Sequence, residues 1–242
     1  MQGSTSTLAP SRFAFTRSRF LVYFIAIICM FFGFLLLAMA VYPTPYSIQA
    51  NSVSNLGRAD QNPNGWFFFT IALWSTAIGL IPFYFVLFKL FKTENKVLAG
   101  IMILLYFLTS AGLCMAGTFQ EGSSFNKLHL FSAYFGFGGF FLAGLFTWIL
   151  MGMHMKKNEQ KERKMLVIAF IIEIGIMCTG AGLFITNIVL HETGVIDFDG
   201  APFGFYIGFP FTEWMLVITI FIDKVFMGTI VSRFMKNQES KT

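Results

Sequence analysis

Two ionisable side chains stand near the same ends of two apolar stretches. They are His129 in FNKLHLFSAYF and Glu213 in FTEWMLVITIF. An imidazole and a carboxylate can act together as a general acid–base pair, or can bind a polar headgroup through hydrogen bonds. We therefore treat His129 and Glu213 as the candidate catalytic residues. A simpler interpretation stays open beside it, in which both side chains only tie loops to helix ends.

Three further charges, Glu173, Asp223 and Lys224, lie deep within apolar stretches. Lys164 lies nine residues before Glu173, and Arg233 lies nine residues after Lys224. At 1.5 Å per residue, both inner charges stand about 13–14 Å from these flanks, which predicts a Glu173–Lys224 ion pair. Asp223 is rotated about 100° from Lys224, so we expect it to face another helix or a polar cavity. Charge compensation is the favoured interpretation, and a proton or ion path is the alternative.

Metal and cofactor sites are not predicted. The chain has three histidines, without an HxxxH or HExxH pattern on one helix, whereas zinc needs three or four converging ligands. No GxSxG motif supplies a nucleophile, although Ser52, Ser54 and Ser132 carry suitable hydroxyls. The sequence thus leaves enzymatic activity undecided and leans towards a non-enzymatic protein.

Composition places these residues in a membrane. Of 242 residues, 56% are hydrophobic, 12% are charged and 33 are Phe, whereas soluble domains are about 25% charged. One soluble core cannot bury that much apolar surface. Basic residues form short clusters beside the apolar stretches, which argues against a nucleic-acid partner.

Six stretches are long enough to cross about 30 Å of hydrocarbon as helices. We therefore predict an all-α, polytopic fold: a six-helix transmembrane domain over 20–235, between a cytoplasmic segment 1–19 and a cytoplasmic tail 236–242. The predicted spans are about 20–42, 66–88, 97–118, 128–152, 165–190 and 211–232. The small-residue pairs Gly112-x-x-x-Ala116 and Gly139-x-x-x-Ala143 predict close helix packing in spans three and four.

Charge distribution predicts the orientation. Fourteen Lys and Arg residues lie on the side of the two termini, against Arg58 and Lys127 on the other side. Cytoplasmic loops carry the excess of Lys and Arg. Both termini are therefore predicted to be cytoplasmic, and His129 and Glu213 exoplasmic.

The loop NSVSNLGRADQNPNGW, residues 51–66, is the main cluster of amide and hydroxyl groups on that exoplasmic side. Buried carboxylates and imidazoles need hydrogen-bond partners. We therefore predict that Ser54, Asn55 and the turn at Pro63 fold back over spans four and six. Asn55 or Ser54 is expected to lie near His129 and Glu213.

Three motifs in this order resemble a superfamily of small membrane proteins that includes the damage-regulated autophagy modulators (DRAM), Frag and Sfk proteins and GPI-lipid remodellers. In loop one, Ser54, Leu56, Gly57, Pro63 and the aromatic start of span two match the family outline. The histidine that opens span four and the Glu-Trp that opens span six match it as well. Asn55 stands where many members carry Asp. The resemblance implies a six-helix bundle and a role in membrane-lipid handling, organisation or trafficking.

Three functions follow as hypotheses. The first is a lipid-handling protein with an exoplasmic polar pocket, built from loop one and spans four and six. The second is an intramembrane lipid hydrolase or remodelling enzyme that uses Glu213 and His129. The third is a proton-coupled transporter centred on Glu173, Asp223 and Lys224. Expected partners are membrane lipids, with other membrane proteins or a second copy of the chain as further candidates. The expected location is the plasma membrane or a secretory or endolysosomal membrane.

Overall fold

The computed structural model of the chain describes residues 16–155 and 209–239, together with residues spaced along 164–189. The described residues form helices joined by loops. The helices are α1 (Arg17–Ala40), a short 3-10 helix (Ser54–Gly57), α2 (Trp66–Gly79), α3 (Ile81–Phe91), α4 (Lys96–Thr118), α5 (Asn126–Met155) and α6 (Phe209–Glu239).

Within the described residues, five helical segments are long and apolar enough to cross a membrane. They are Arg17–Ala40, Trp66–Phe91, Lys96–Thr118, Asn126–His154 and Pro210–Met235. The chain is therefore a multi-pass membrane protein, as its composition predicts. The predicted span 165–190 lies largely outside the described residues, although those described within it are helical.

The second span is interrupted at one residue, Leu80, which the sequence interpretation as one helix over 66–88 did not include. Backbone hydrogen bonds from Leu80 to Thr76 and from Tyr84 to Leu80 continue across it. α2 ends at Gly79, and α3 starts at Ile81 with Pro82 in its first turn. Proline has no N–H for the helix ladder and its ring crowds the preceding turn, so a helix bends or ends there. The hydroxyl of Tyr23 on α1 donates a hydrogen bond to the carbonyl of Gly79. The Gly79 carbonyl, at the end of α2, thus has a hydrogen-bond partner inside the apolar bundle.

α4 and α5 form the closest helix pair, and glycines make their contact possible. A Cβ atom at Gly112 would lie 2.7 Å from the backbone nitrogen of Gly136, and one at Gly139 would lie 2.3 Å from Oγ1 of Thr109. Such distances leave no room for a side chain. The close packing predicted at Gly112 and Gly139 is confirmed, and Gly136 belongs to the same contact.

Aromatic rings pack α1 against α3 and α6. The Phe24 and Phe83 rings lie 5.2 Å apart, and the Phe31 and Phe221 rings stack at 4.1 Å. α1, near the start of the chain, thus packs against α6, near its end. Loop one lies at one end of the bundle, between the end of α1 and the start of α2.

Candidate functional site

Loop one folds into an ordered cap. Asn62 is fully buried, and its amide nitrogen donates to the carbonyls of Ala38 and Leu56, both at 3.0 Å. These bonds join the loop to the end of α1 and to the 3-10 helix. A Cβ atom at Gly57 would lie 2.3 Å from the Phe69 ring, so only glycine lets the loop come this close to α2. Pro63 is exposed. Asn62, rather than Pro63, therefore holds the turn down.

The Glu-Trp pair at the start of α6 holds the other side of the loop. The Trp214 indole N–H donates to the carbonyl of Asn51 and to the Tyr46 hydroxyl, both at 3.1 Å. The Tyr46 hydroxyl in turn donates to the Ser52 carbonyl at 2.7 Å. Burial raises the pKa of Tyr46 above its usual range, so this hydroxyl keeps its proton. Loop one is thereby attached to α6 as well as to α1.

Ser54 is the loop residue whose side chain contacts Glu213. Its hydroxyl donates to Oε2 of Glu213 at 3.3 Å, and Ser52 Oγ lies 3.0 Å from Ser54 Oγ. The backbone N–H groups of Val53 and Ser54 also interact with this carboxylate. Asn55 is half-buried, and no side-chain contact joins it to Glu213 within the described part of the chain. Of the two predicted partners, the structure selects Ser54.

His129 lies at the start of α5 and is tied to α4. Its Nδ1 atom lies 3.0 Å from the carbonyl of Ala116 and 2.6 Å from that of Phe119. Carbonyl oxygens only accept hydrogen bonds, so Nδ1 carries a proton. In the neutral ring, Nε2 is then the acceptor. No direct hydrogen bond or ion pair joins His129 to Glu213 among the described residues.

His129, Glu213 and Ser54 nevertheless line one small cavity, which we call the outer cavity. Its remaining lining is largely apolar and comes from α1, α2, α4, α5 and α6. Glu213 is 8% exposed and His129 is 3% exposed. A second carboxylate, that of Glu121 in the α4–α5 loop, lies close enough to act electrostatically on Glu213. The arrangement is thus a buried polar site with apolar walls.

An exposed ion pair marks the surface of the loop. Arg58 donates two hydrogen bonds to Asp60, at 3.1 and 2.7 Å. These hydrogen bonds hold the pKa of Asp60 below its usual range. The Arg58 side chain also covers Gly122, whose φ of +75° few other residues adopt. Arg58 therefore links loop one to the α4–α5 loop and is not a free tip.

A comparison with protein families gives a match over residues 24–219, to a family described as a protein of unknown function, DUF998. The chain belongs to the DUF998 family. The matched residues include loop one, His129 and Glu213, whereas Asp223 and Lys224 lie beyond them. Comparisons with curated proteins and with solved structures give no match. The resemblance to the DRAM, Frag and Sfk proteins stays a prediction.

A second polar group of this DUF998 protein lies in the middle of α6. Lys224 donates to Oδ2 of Asp223, and the two side chains are 2% and 1% exposed. The indole N–H of Trp148 on α5 donates to Oδ1 of Asp223 at 3.3 Å. Asp223 does face another helix, as predicted. Asp223 also pairs with Lys224, because the long lysine side chain bends back to its neighbour.

The predicted partner of Lys224, Glu173, lies outside the described residues. On the described side, the Lys224 nitrogen lies 3.5 Å from the Tyr106 hydroxyl and 5.2 Å from the centres of the Tyr106 and Phe140 rings. The Tyr106 hydroxyl in turn lies 3.0 Å from Oγ1 of Thr147. The buried ammonium group thus has a carboxylate, a hydroxyl and two ring faces as partners.

A second small cavity, the inner cavity, lies beside Lys224. Its walls include Thr76 and Leu80 from the broken second span. The two cavities share lining residues, which are Phe31, Leu73, Phe137 and Val217. Glu213 and Lys224 are eleven residues apart on α6, which puts them on one helix face about 16 Å from each other. One face of α6 therefore lines both cavities.

Metal binding was not predicted, and among the described residues no group of three His, Cys, Asp or Glu side chains is placed to hold a metal ion. Sequence reasoning missed several residues that shape the site, namely Tyr46, Asn51, Asn62, Glu121 and Trp214. Asn51 and Asn62 belong to the polar cluster of loop one, and Trp214 adjoins Glu213 in the Glu-Trp motif. The roles of the others depend on the path of the loops.

Proposed function

We propose that this protein binds membrane lipid at its exoplasmic end and serves in the handling, organisation or trafficking of lipids. One observation carries the proposal. Ser54, His129 and Glu213 come from three parts of the chain and line one cavity whose other walls are largely apolar. A few convergent polar groups in an apolar setting are typical of a site that binds an amphipathic molecule. The resemblance to the DRAM, Frag and Sfk proteins supports the same function.

Binding fits this geometry better than hydrolysis. Catalysis by a serine needs a base that takes the proton from its hydroxyl and is held in place by a third group. Here the Ser54 hydroxyl donates directly to Glu213, and the Nδ1 atom of His129 bonds to backbone carbonyls. The serine, the imidazole and the carboxylate share a cavity without forming a relay. We therefore propose a lipid-binding protein rather than a lipid hydrolase.

Replacement of Ser54 by alanine tests the proposal. The change removes a hydrogen bond to Glu213 and should lower the lipid retained by the purified protein about twofold to tenfold. Native mass spectrometry of the protein released from detergent measures the retained lipid. Ser47→Ala is the matched control, since Ser47 lies in the same connection but does not line the cavity. Equal lipid retention by the Ser54→Ala variant and the wild type would contradict the proposal.

The proposed site requires loop one to be exoplasmic. A cysteine replacing Asn64, which is exposed in loop one, should react with a membrane-impermeant maleimide in intact cells. A cysteine replacing Thr93, exposed between α3 and α4, should react only after permeabilisation. Both variants are made in a background without the three native cysteines. The opposite labelling pattern would place the site on the cytoplasmic side.

A carrier is the second candidate, and the broken second span favours it. Transporters often bind substrate near the bilayer midplane at discontinuous helices. Leu80, at the break, lines the inner cavity together with Lys224. Proton-gradient-dependent flux into proteoliposomes, lost in Lys224→Met protein that melting shows to be folded and kept in Ser54→Ala, would favour the carrier over the lipid binder.

A further inference from the structure

The polar groups of the outer cavity are mainly hydrogen-bond acceptors. Glu213 presents a carboxylate, and His129 has its Nδ1 proton committed to two carbonyls, so that in the neutral ring Nε2 is an acceptor. Ser54 spends its proton on Glu213, and its oxygen keeps a lone pair. The ligand that complements such a lining is a hydrogen-bond donor.

The electrostatics favour a positively charged donor. Glu213 receives hydrogen bonds from the Ser54 hydroxyl and from the N–H groups of Val53 and Ser54, and a nearby positive charge would stabilise its buried carboxylate further. In the part of the chain that the structure describes, no Lys, Arg or His side chain forms an ion pair with Glu213. The nearby charge of Glu121 has the same sign, and its Oε2 atom is buried without a hydrogen-bond partner. Two carboxylates therefore act on this cavity, and an anionic group such as phosphate is disfavoured inside it.

The size of the cavity distinguishes between two kinds of positively charged group, a primary ammonium and a trimethylammonium. Its free space is about that of one water molecule. A primary ammonium group has nearly the size of water and carries three N–H donors. A trimethylammonium group is larger and carries no N–H donor. The space and the acceptors thus fit the first group and not the second.

We infer that the outer cavity binds a primary ammonium group, held between the Glu213 carboxylate, Nε2 of His129 and the Ser54 oxygen. As the source of this group, the inference rests on the proposed lipid function and names a lipid with a primary-amine headgroup, such as an ethanolamine phospholipid. The ammonium group supplies the positive charge that Glu213 lacks among the described side chains. The rest of the headgroup and the acyl chains stay outside the cavity.

Competition between two lipids with the same acyl chains tests the inference. The purified protein is equilibrated with equal amounts of ethanolamine and choline phospholipid in mixed micelles, and native mass spectrometry measures the bound ratio. The wild type should retain the ethanolamine lipid in about tenfold excess or more, since hydrogen bonds to charged groups are the strong ones. Glu213→Gln should bring the ratio close to one. Asp60→Asn, which removes an exposed carboxylate of the same loop, is the matched control and should keep the wild-type ratio.

A second variant covers the case in which Glu213→Gln fails to fold. His129→Asn keeps an amide near the position of Nδ1 but removes the acceptor at Nε2, so the ethanolamine preference should fall while the protein stays folded. An equal ratio in the wild type would overturn the inference. A preference that survives both Glu213→Gln and His129→Asn would overturn it as well.

A soluble amine separates this inference from the proposed function. Ethanolamine added to delipidated protein in detergent should raise the melting temperature of the wild type and not that of Glu213→Gln. Ethanolamine binding without lipid retention would support the ammonium site and overturn the lipid function. Lipid retention without headgroup preference would support the lipid function and overturn the ammonium site.

Discussion

Replacing Lys224 by methionine should lower the free energy of unfolding by about 3–5 kcal/mol, the cost of removing one partner of a buried ion pair. The change leaves the Asp223 carboxylate inside the bundle, where the Trp148 indole is its remaining hydrogen-bond partner among the described side chains. Asp223→Asn should lower the free energy of unfolding by a similar amount, because it removes the carboxylate that pairs with the buried ammonium group. Thermal melting in detergent, followed by intrinsic fluorescence or light scattering, measures the losses.

The double variant carries the decisive comparison. Asp223→Asn combined with Lys224→Met leaves neither side chain charged, so no buried charge is without its partner. The double variant should therefore be destabilised by less than the sum of the two single changes. Asp60→Asn is the control, because it breaks another ion pair between residues close in sequence, Arg58–Asp60. In this pair the Asp60 side chain is 60% exposed. This control should change the melting temperature little, because exposed pairs contribute little. Additive losses in the double variant would show that Asp223 and Lys224 do not stabilise each other.

Replacing Gly112 by alanine should destabilise the bundle by about 1–3 kcal/mol, the range for overpacking in a tightly packed core. The new methyl group would lie 2.7 Å from the backbone nitrogen of Gly136, which cannot move aside as a flexible side chain could. α4 and α5 would have to separate locally. The melting temperature in detergent measures this cost.

Gly100→Ala is the matched control, since Gly100 lies on the same helix and a Cβ atom there meets nothing within 4 Å. Its melting temperature should equal or slightly exceed that of the wild type, because alanine favours the helix. Equal destabilisation by the two changes would mean that the α4–α5 contact at Gly112 is not responsible.

Hydropathy predicted the five spans that the structure describes, because a span needs little more than length and apolar composition. Hydropathy did not predict the interruption of the second span at Leu80. Pro82 signalled it in the sequence, but a span interrupted by proline keeps the hydropathy of a continuous one. The glycine contacts of α4 were predictable for a related reason, since small residues at helical spacing have few other uses in a membrane.

The contacts of the site were harder to predict than its elements. The cluster of polar residues in loop one and the position of Glu213 both followed from the sequence. Whether Ser54 or Asn55 faces Glu213 depends on one turn of 3-10 helix, whose orientation neighbouring side chains determine. Similarly, spacing along the helices predicted Glu173 as the partner of Lys224 and did not include the pair with Asp223, although a lysine side chain is long enough to span the angle of about 100° between the two positions.

The α4–α5 contact has a consequence for the two walls of the outer cavity. His129 is bound to α4 through Nδ1, and its own helix is pressed against α4 at Gly112 and Gly136. These helices therefore form a rigid pair that carries the imidazole. Glu213 belongs to α6, which is joined to loop one through side-chain hydrogen bonds. The imidazole and the carboxylate thus belong to different groups of helices, and the packing of α6 against the α4–α5 pair determines the distance between Glu213 and His129.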